Sequence, residues 1–302
     1  MLKNETVNSS NQIERSSFTD KIRLWLLDHP DFNPYKFSLK RAYRIMTNQL
    51  RVLPDFVVIG STKSGTTSLH YYLIQHPGII SERNVHFFEY MQTNSIEWYR
   101  AYFPTKAYKN FKKLTVGEQT ATYLSHPLIP KRIHTTIPNA KLIVVLRNPV
   151  DRAYSNYTHQ VREGIEKRTF EEAIKSELKR IEICKNNSEY KINNDDFSNH
   201  VIFSYLRHGI YVDFIKAWME FFTKEQFLIL PTYDLNNNRA KFLKQVFDYL
   251  NVQNFEIKDV ERQNVGEYKK LDKSMRKFLV DYYRPHNERL FKLLEKNFDW
   301  DK

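Results

Sequence analysis

Two short, uninterrupted apolar runs, each handing over to polar residues suited to an anion, constrain the fold most. They are Phe56-Val57-Val58-Ile59-Gly60 and Lys141-Leu142-Ile143-Val144-Val145-Leu146. Runs of this length, rich in β-branched side chains, read as strands buried on both faces of a parallel sheet. Parallel neighbours need a crossover, and helical signals follow both runs. Leu69, Tyr72, Leu73 and His76 recur at helical spacing until Pro77-Gly78, and a helix is expected from about Asp151, after Pro149. Further strands are predicted at Leu114 to Glu118 and Phe227 to Leu230. Further helices are predicted at Phe170 to Cys184, Val212 to Phe222, Ala240 to Leu250 and Lys273 to Leu294. This alternation predicts an α/β fold, with a central parallel sheet flanked by helices on both faces.

The 302 residues fit one such unit with an extension. Residues 1 to about 17 are rich in Asn, Ser and Glu and read as disordered. Phe18 to Leu50 reads as helical, broken at Pro30 and Pro34. The expected organisation is an N-terminal polar and helical extension over 1–50 and a main domain over 51–302. The basic stretch Lys40-Arg41-Ala42-Tyr43-Arg44-Ile45 reads as a helix packed on that domain, with peripheral contact to an acidic membrane surface as the alternative.

A net charge of +12, from 47 Lys and Arg against 35 Asp and Glu, favours anionic partners. The lysines are spread along the chain without a nucleic-acid-binding motif, so no nucleic acid partner is expected. No apolar run approaches the roughly 20 residues that cross a bilayer, and Met1 to Ser17 lacks a secretory apolar core. The lone Cys184 allows no intrachain disulfide, which suits a reducing compartment. A cytoplasmic location is therefore expected. Lys185 to Asn199 reads as an exposed loop.

The run Gly60-Ser61-Thr62-Lys63-Ser64-Gly65-Thr66-Thr67-Ser68 lies where the first strand passes into its helix. Helix N-termini present unpaired N–H groups and a favourable dipole to an anion. Glycines let the backbone approach a phosphate, Ser64, Thr66, Thr67 and Ser68 add hydroxyl donors, and Lys63 brings a mobile positive charge. In nucleoside-triphosphatase loops Lys follows the last Gly and a hydroxyl residue follows the Lys, which builds a magnesium site. Here Lys63 precedes Gly65 by two residues. No cluster with metal-ligand spacing stands out, so no metal is expected.

Arg147-Asn148-Pro149-Val150-Asp151-Arg152-Ala153-Tyr154-Ser155 follows the second strand. Arg147 at that strand's end faces the crevice where open α/β sheets bind ligands, and Ser155, about two turns into the next helix, can join it on one anion. A local ion pair between Arg147 and Asp151 is the alternative reading.

Together these two segments resemble the PAPS-dependent sulfotransferase superfamily, where PAPS is 3′-phosphoadenosine 5′-phosphosulfate. Ser61 to Ser68 is similar to its 5′-phosphosulfate loop, and Arg147 to Ser155 to its 3′-phosphate motif, in which the Arg and the Ser hold the phosphate. His86-Phe87-Phe88, Ile96-Glu97-Trp98-Tyr99, Phe103-Pro104, Gly117-Glu118 with Tyr123, and Gly209-Ile210-Tyr211 resemble the heparan-sulfate-type and bacterial branch. The resemblance runs from about Asp55 to the C-terminus and implies a P-loop-type three-layer sandwich. It also implies PAPS as co-substrate and transfer of a sulfuryl group to a hydroxyl or amino group of a carbohydrate or small acceptor, with Lys63 offsetting charge on the departing phosphate oxygen.

The proton acceptor is harder to assign. Heparan-type relatives carry a Glu shortly before His-Phe-Phe, and the matching position here is Asn84, whose amide is no useful base. His86 is the residue type that serves in the cytosolic branch, and its ordinary pKa suits the task. The expected arrangement is His86 as base supported by Glu118, with Glu82 as a further candidate. Acceptor-binding segments are expected at Phe87 to Tyr102, Val161 to Asn199 and Glu267 to Lys270, with Lys269-Lys270 alternatively over the nucleotide. Two other functions fit parts of the pattern: a nucleotide-binding protein that has lost transfer, and a P-loop small-molecule kinase.

Overall fold

The computed structural model describes residues 39–91, 94–186, 203–259 and 271–300. In chain order the first elements are α1 (Leu39–Met46), β1 (Phe56–Gly60), α2 (Thr66–Leu73), β2 (Ile79–Arg83), α3 (Ile96–Arg100), α4 (Lys106–Lys112) and β3 (Thr115–Gln119). There follow α5 (Ile129–Thr136), β4 (Lys141–Leu146), α6 (Pro149–Arg162), α7 (Phe170–Asn186) and α8 (Tyr211–Met219). The remainder is β5 (Phe227–Pro231), α9 (Thr232–Asn237), α10 (Arg239–Leu250) and α11 (Lys273–Leu294). The loop expected at Lys185 to Asn199 begins two residues later, because α7 continues to Asn186; its remainder, the Lys269-Lys270 pair, the side chain of Cys184 and the N-terminal reading up to residue 38 lie outside the described residues.

The strands form a five-stranded sheet in the order β2-β3-β1-β4-β5, and every pairing is parallel. Both central strands are buried along almost their whole length because successive side chains feed opposite layers. Val57, Ile59, Leu142, Val144 and Leu146 meet α5 and α8 on one face. Phe56, Val58, Ile143 and Val145 meet α2 and α10 on the other. A third apolar cluster joins α6, α7 and α11 beside the sheet, around Val150, Phe170 and Leu279. The expected three-layer α/β sandwich is what forms.

The elements differ from the sequence reading in instructive places. β2 was not expected, because only Ile79 and Ile80 are apolar before Ser81-Glu82-Arg83; at the sheet edge that suffices. α2 starts at Thr66, three residues before the first apolar residue of its pattern, so it takes in the hydroxyl residues. α6 starts at Pro149 rather than Asp151, because Asn148 caps it by accepting the Val150 N–H at 3.0 Å. Among the described residues, no helix is long and apolar enough to cross a membrane.

Gly117 shows how tightly β3 lies on β1. A Cβ there would sit 2.1 Å from Cζ of the fully buried Phe56, the Cα partner of Gly117 across the strand pair. Gly117→Ala is expected to lower the unfolding free energy by about 1–3 kcal/mol. An unchanged urea midpoint would contradict that packing.

Candidate active site

The phosphate loop is built as its residues require. β1 ends at Gly60, and α2 begins straight after Gly65, whose φ of 93° is left-handed. A Cβ at Gly65 would lie 2.8 Å from Cδ2 of Leu235, so both conformation and space demand glycine. The first intrahelical bond runs from the Leu69 N–H to the Gly65 carbonyl at 3.0 Å. The N–H groups of Thr66, Thr67 and Ser68 therefore belong to the turn whose donors the helix itself does not use. Ser64 is fully buried and anchors the loop: its hydroxyl pairs with that of Ser61 at 2.7 Å. The Thr232 hydroxyl donates to the Ser64 carbonyl at 2.6 Å and lies 3.1 Å from that of Leu146, tying the loop to the end of β4.

Arg147 reaches across from β4 and donates to the Lys63 carbonyl at 3.3 Å. Asp151 instead accepts from Arg276 at 2.8 Å, so Arg147 and Asp151 do not form the local pair considered above. The Tyr211 hydroxyl donates to the Arg147 carbonyl at 2.9 Å and fixes the turn into α6. Ser155 is buried on α6 two turns further along.

Sequence reasoning gave no role to Arg152. It is fully buried and donates to the Thr62 hydroxyl at 3.3 Å and to the carbonyls of Ser204 and Tyr205 at 3.1 and 2.8 Å. It thereby puts a guanidinium under the loop without a carboxylate to neutralise it among these bonds. The effect shows on Lys63, whose pKa falls to about 8: burial contributes most, then repulsion from Arg162, Arg147 and Arg152, with Glu163 offsetting a little. His159 is pushed down by burial and by Lys63. Cations crowded this way gain most from a bound anion.

A second group lies at the ends of β2 and β3. These strands are neighbours of β1 on one side, so their ends lie within roughly 10 Å of the loop at the usual strand spacing. His86 Nδ1 lies 2.7 Å from Glu89 Oε2, and the other Glu89 oxygen accepts from the Thr122 hydroxyl. Burial works against protonation of His86, but the Glu89 hydrogen bond and the charges of Glu89 and Glu118 outweigh it and raise its pKa.

Glu118 is fully enclosed. One oxygen accepts from the Tyr99 hydroxyl; the other accepts from Thr120 at 2.9 Å and Tyr123 at 2.7 Å. Burial raises its pKa against those three bonds. Its oxygens are already occupied by hydroxyl donors, and its proximity contributes to the raised pKa of His86. Glu82 is the Cα partner of Glu118 on β2. Asn84 is exposed with a φ of 54°, a left-handed position that Asn tolerates better than Glu.

The segment Phe87 to Tyr102, expected to touch the acceptor, is mixed: Phe87, Phe88, Tyr99 and Ala101 are buried, whereas Tyr90, Ser95 and Glu97 are exposed. Phe87 stacks on Tyr99 with ring centres 4.2 Å apart. Glu89 was missed although its place three residues after His86 was a usable signal.

A glycine- and hydroxyl-rich loop at the head of a parallel α/β sheet, with an arginine from the next strand laid across it, is the class of site that suits an anion. The family model described as the Sulfotransferase domain matches residues 53–293, and the chain belongs to that family. It is 27% identical to the membrane-associated sulfotransferase kil1 of Dictyostelium discoideum, over 88% of this chain and 72% of that protein. It is 26% identical to bifunctional heparan sulfate N-deacetylase/N-sulfotransferase 2 of Homo sapiens over 81% of this chain, but spans only 30% of that larger protein. The sulfotransferase structure from Alicyclobacillus acidocaldarius matches with a TM-score of 0.64 at 25% identity, over 83% of this chain and 100% of that one. Sulfuryl transfer is the chemistry of this family and of this chain, so the kinase and binding-only readings are not favoured.

Proposed function

We propose that the sulfuryl donor is PAPS, with its 5′-phosphosulfate on residues 61–68 and its 3′-phosphate on Arg147 and Ser155. The observation that carries this is the convergence of Lys63 and Arg147 on one loop, over the buried Arg152, at the N-terminus of α2. Gly65, Thr66, Thr67 and Ser68 offer backbone and hydroxyl donors there, and Ser64, buried and bonded to Ser61, holds the loop in shape. Bound there, PAPS supplies the sulfuryl group, whose bond to the 5′-phosphate oxygen breaks as a bond to the acceptor oxygen or nitrogen forms. Lys63 offsets the charge left on that phosphate oxygen. His86, held by Glu89 and biased by the buried Glu118, takes the acceptor's proton. The similarity to heparan sulfate N-sulfotransferases makes a hydroxyl or amino group of a glycan the first acceptor to test, ahead of small molecules.

The reading is tested by following label from PAPS to a panel of glycans and small hydroxylated or amino acceptors. Arg147→Ala is expected to weaken the desulfated product, 3′-phosphoadenosine 5′-phosphate, by about 10- to 150-fold, the worth of hydrogen bonds to a charged group. Ser155→Ala should cost about tenfold or less. Adenosine 5′-phosphosulfate, which lacks the 3′-phosphate, should lose little with either variant. Equal losses for both nucleotides would remove Arg147 and Ser155 from the 3′-phosphate site.

A further inference from the structure

On α1 one face is turned to solvent and it is apolar. Leu39, Tyr43, Met46 and the following Leu50 recur at steps of four, three and four residues, which places them on one side of a helical turn. Leu39 is 80% and Met46 84% exposed, and Tyr43 and Leu50 are also exposed. The helix is not loose. Its opposite side carries Arg41, whose guanidinium lies 4.0 Å from the ring centre of Tyr102 and 5.2 Å from that of Trp98, and donates to the Trp98 carbonyl at 3.3 Å. The domain therefore holds α1 with the apolar stripe facing out.

A second exposed surface adjoins it. Arg51, just past α1, pairs with Thr105, the cap of α4, and donates to the Phe103 carbonyl at 2.8 Å. α4 exposes Phe111, at 80%, and Tyr108, with Lys106, Lys112 and Lys113 exposed around them. Lys109 is neutralised by Asp55 and Arg41 is used in packing, but no Asp or Glu occurs anywhere in 39–50 or 105–113.

We propose that α1 and α4 form an interfacial surface that rests on an anionic phospholipid bilayer. A polyanionic glycan would meet the lysines, but it offers nothing to bury Leu39, Met46 and Phe111. An ordinary protein surface does not pair large, highly exposed aliphatic and aromatic groups with lysines and no acidic residue among them. A bilayer with acidic headgroups satisfies both: the side chains enter the headgroup–acyl boundary and the lysines meet the lipid charge. The surface is separate from the transfer site and does not depend on how the donor is held.

The test is co-sedimentation of the full chain with phosphatidylcholine vesicles, with and without phosphatidylserine. Binding to the phosphatidylserine vesicles is expected, with at least tenfold weaker binding for Leu39→Asp/Met46→Asp and, separately, for Lys112→Glu/Lys113→Glu. Sulfuryl transfer to a soluble acceptor should be unchanged in both. The exposed lysine pair gives a second readout in a variant that leaves the apolar stripe intact. Several results would overturn the proposal: no binding to either vesicle, equal binding to both, or undiminished binding by the variants. A large fall in melting temperature for Leu39→Asp/Met46→Asp would also do so, because the chain's own residues before 39 or a second copy would then be covering the stripe.

Discussion

Lys63→Ala is expected to slow single-turnover sulfuryl transfer roughly a thousandfold, by analogy with the loss of a preorganised group facing developing charge. Affinity for 3′-phosphoadenosine 5′-phosphate should fall much less, because Arg147, Ser155 and the first-turn N–H groups of α2 remain. A pH signature separates this from simple loss of folding. Lys63 must be protonated to act, and burial together with Arg162, Arg147 and Arg152 has brought its pKa down to about 8. In the free enzyme Lys63 should therefore set the alkaline limb of kcat/KM, which declines above that value. Donor binding adds negative charge beside the ammonium, so the same limb in kcat should lie at higher pH. Arg162→Gln removes the largest of the repelling charges, and should move the kcat/KM limb upward. A limb that stays in place in Arg162→Gln, or a Lys63→Ala variant that transfers at the original rate, would take Lys63 out of the role.

The difference between what was readable and what was not follows from how local each interaction is. β1, the loop and the start of α2 are contiguous, so strand, glycine, lysine and hydroxyl residues announce the cradle together. Arg147 was readable for the same reason, standing at the end of an apolar strand. Arg152 sits five residues further on, yet its importance comes from Thr62, Ser204 and Tyr205, none of them near it in sequence. Its burial could be learned only from the fold. Glu118 illustrates the converse: its place at a strand end suggested chemistry, whereas Tyr99 from an earlier helix and Thr120 and Tyr123 from the turn after β3 enclose it and occupy both its oxygens. β2 escaped notice because an edge strand with polar residues at its end lacks the continuous apolar run by which β1 and β4 are recognised.

The same reasoning gives His86 a sharper test than its deletion alone. His86→Ala should lower kcat/KM by about a hundredfold to ten-thousandfold if the imidazole takes the acceptor's proton. Only the neutral ring can do so. Its pKa is raised above the ordinary 6.5 by Glu89 and Glu118 against the effect of burial, so activity should rise with pH through that raised value. Glu89→Gln removes the hydrogen-bonded carboxylate, and the acid limb should then shift to lower pH. The plateau should also fall, since the ring loses the partner that orients it at 2.7 Å and becomes a weaker base. A merely structural Glu89 would lower the plateau without moving the limb. Asn84→Glu supplies the opposite control. It puts a carboxylate at the position where the resemblance to heparan-sulfate-type sulfotransferases leads one to expect it, but on left-handed backbone at a φ of 54°. If His86 is the base, Asn84→Glu will not rescue His86→Ala; recovery of transfer in that double variant would assign the proton to the loop after β2.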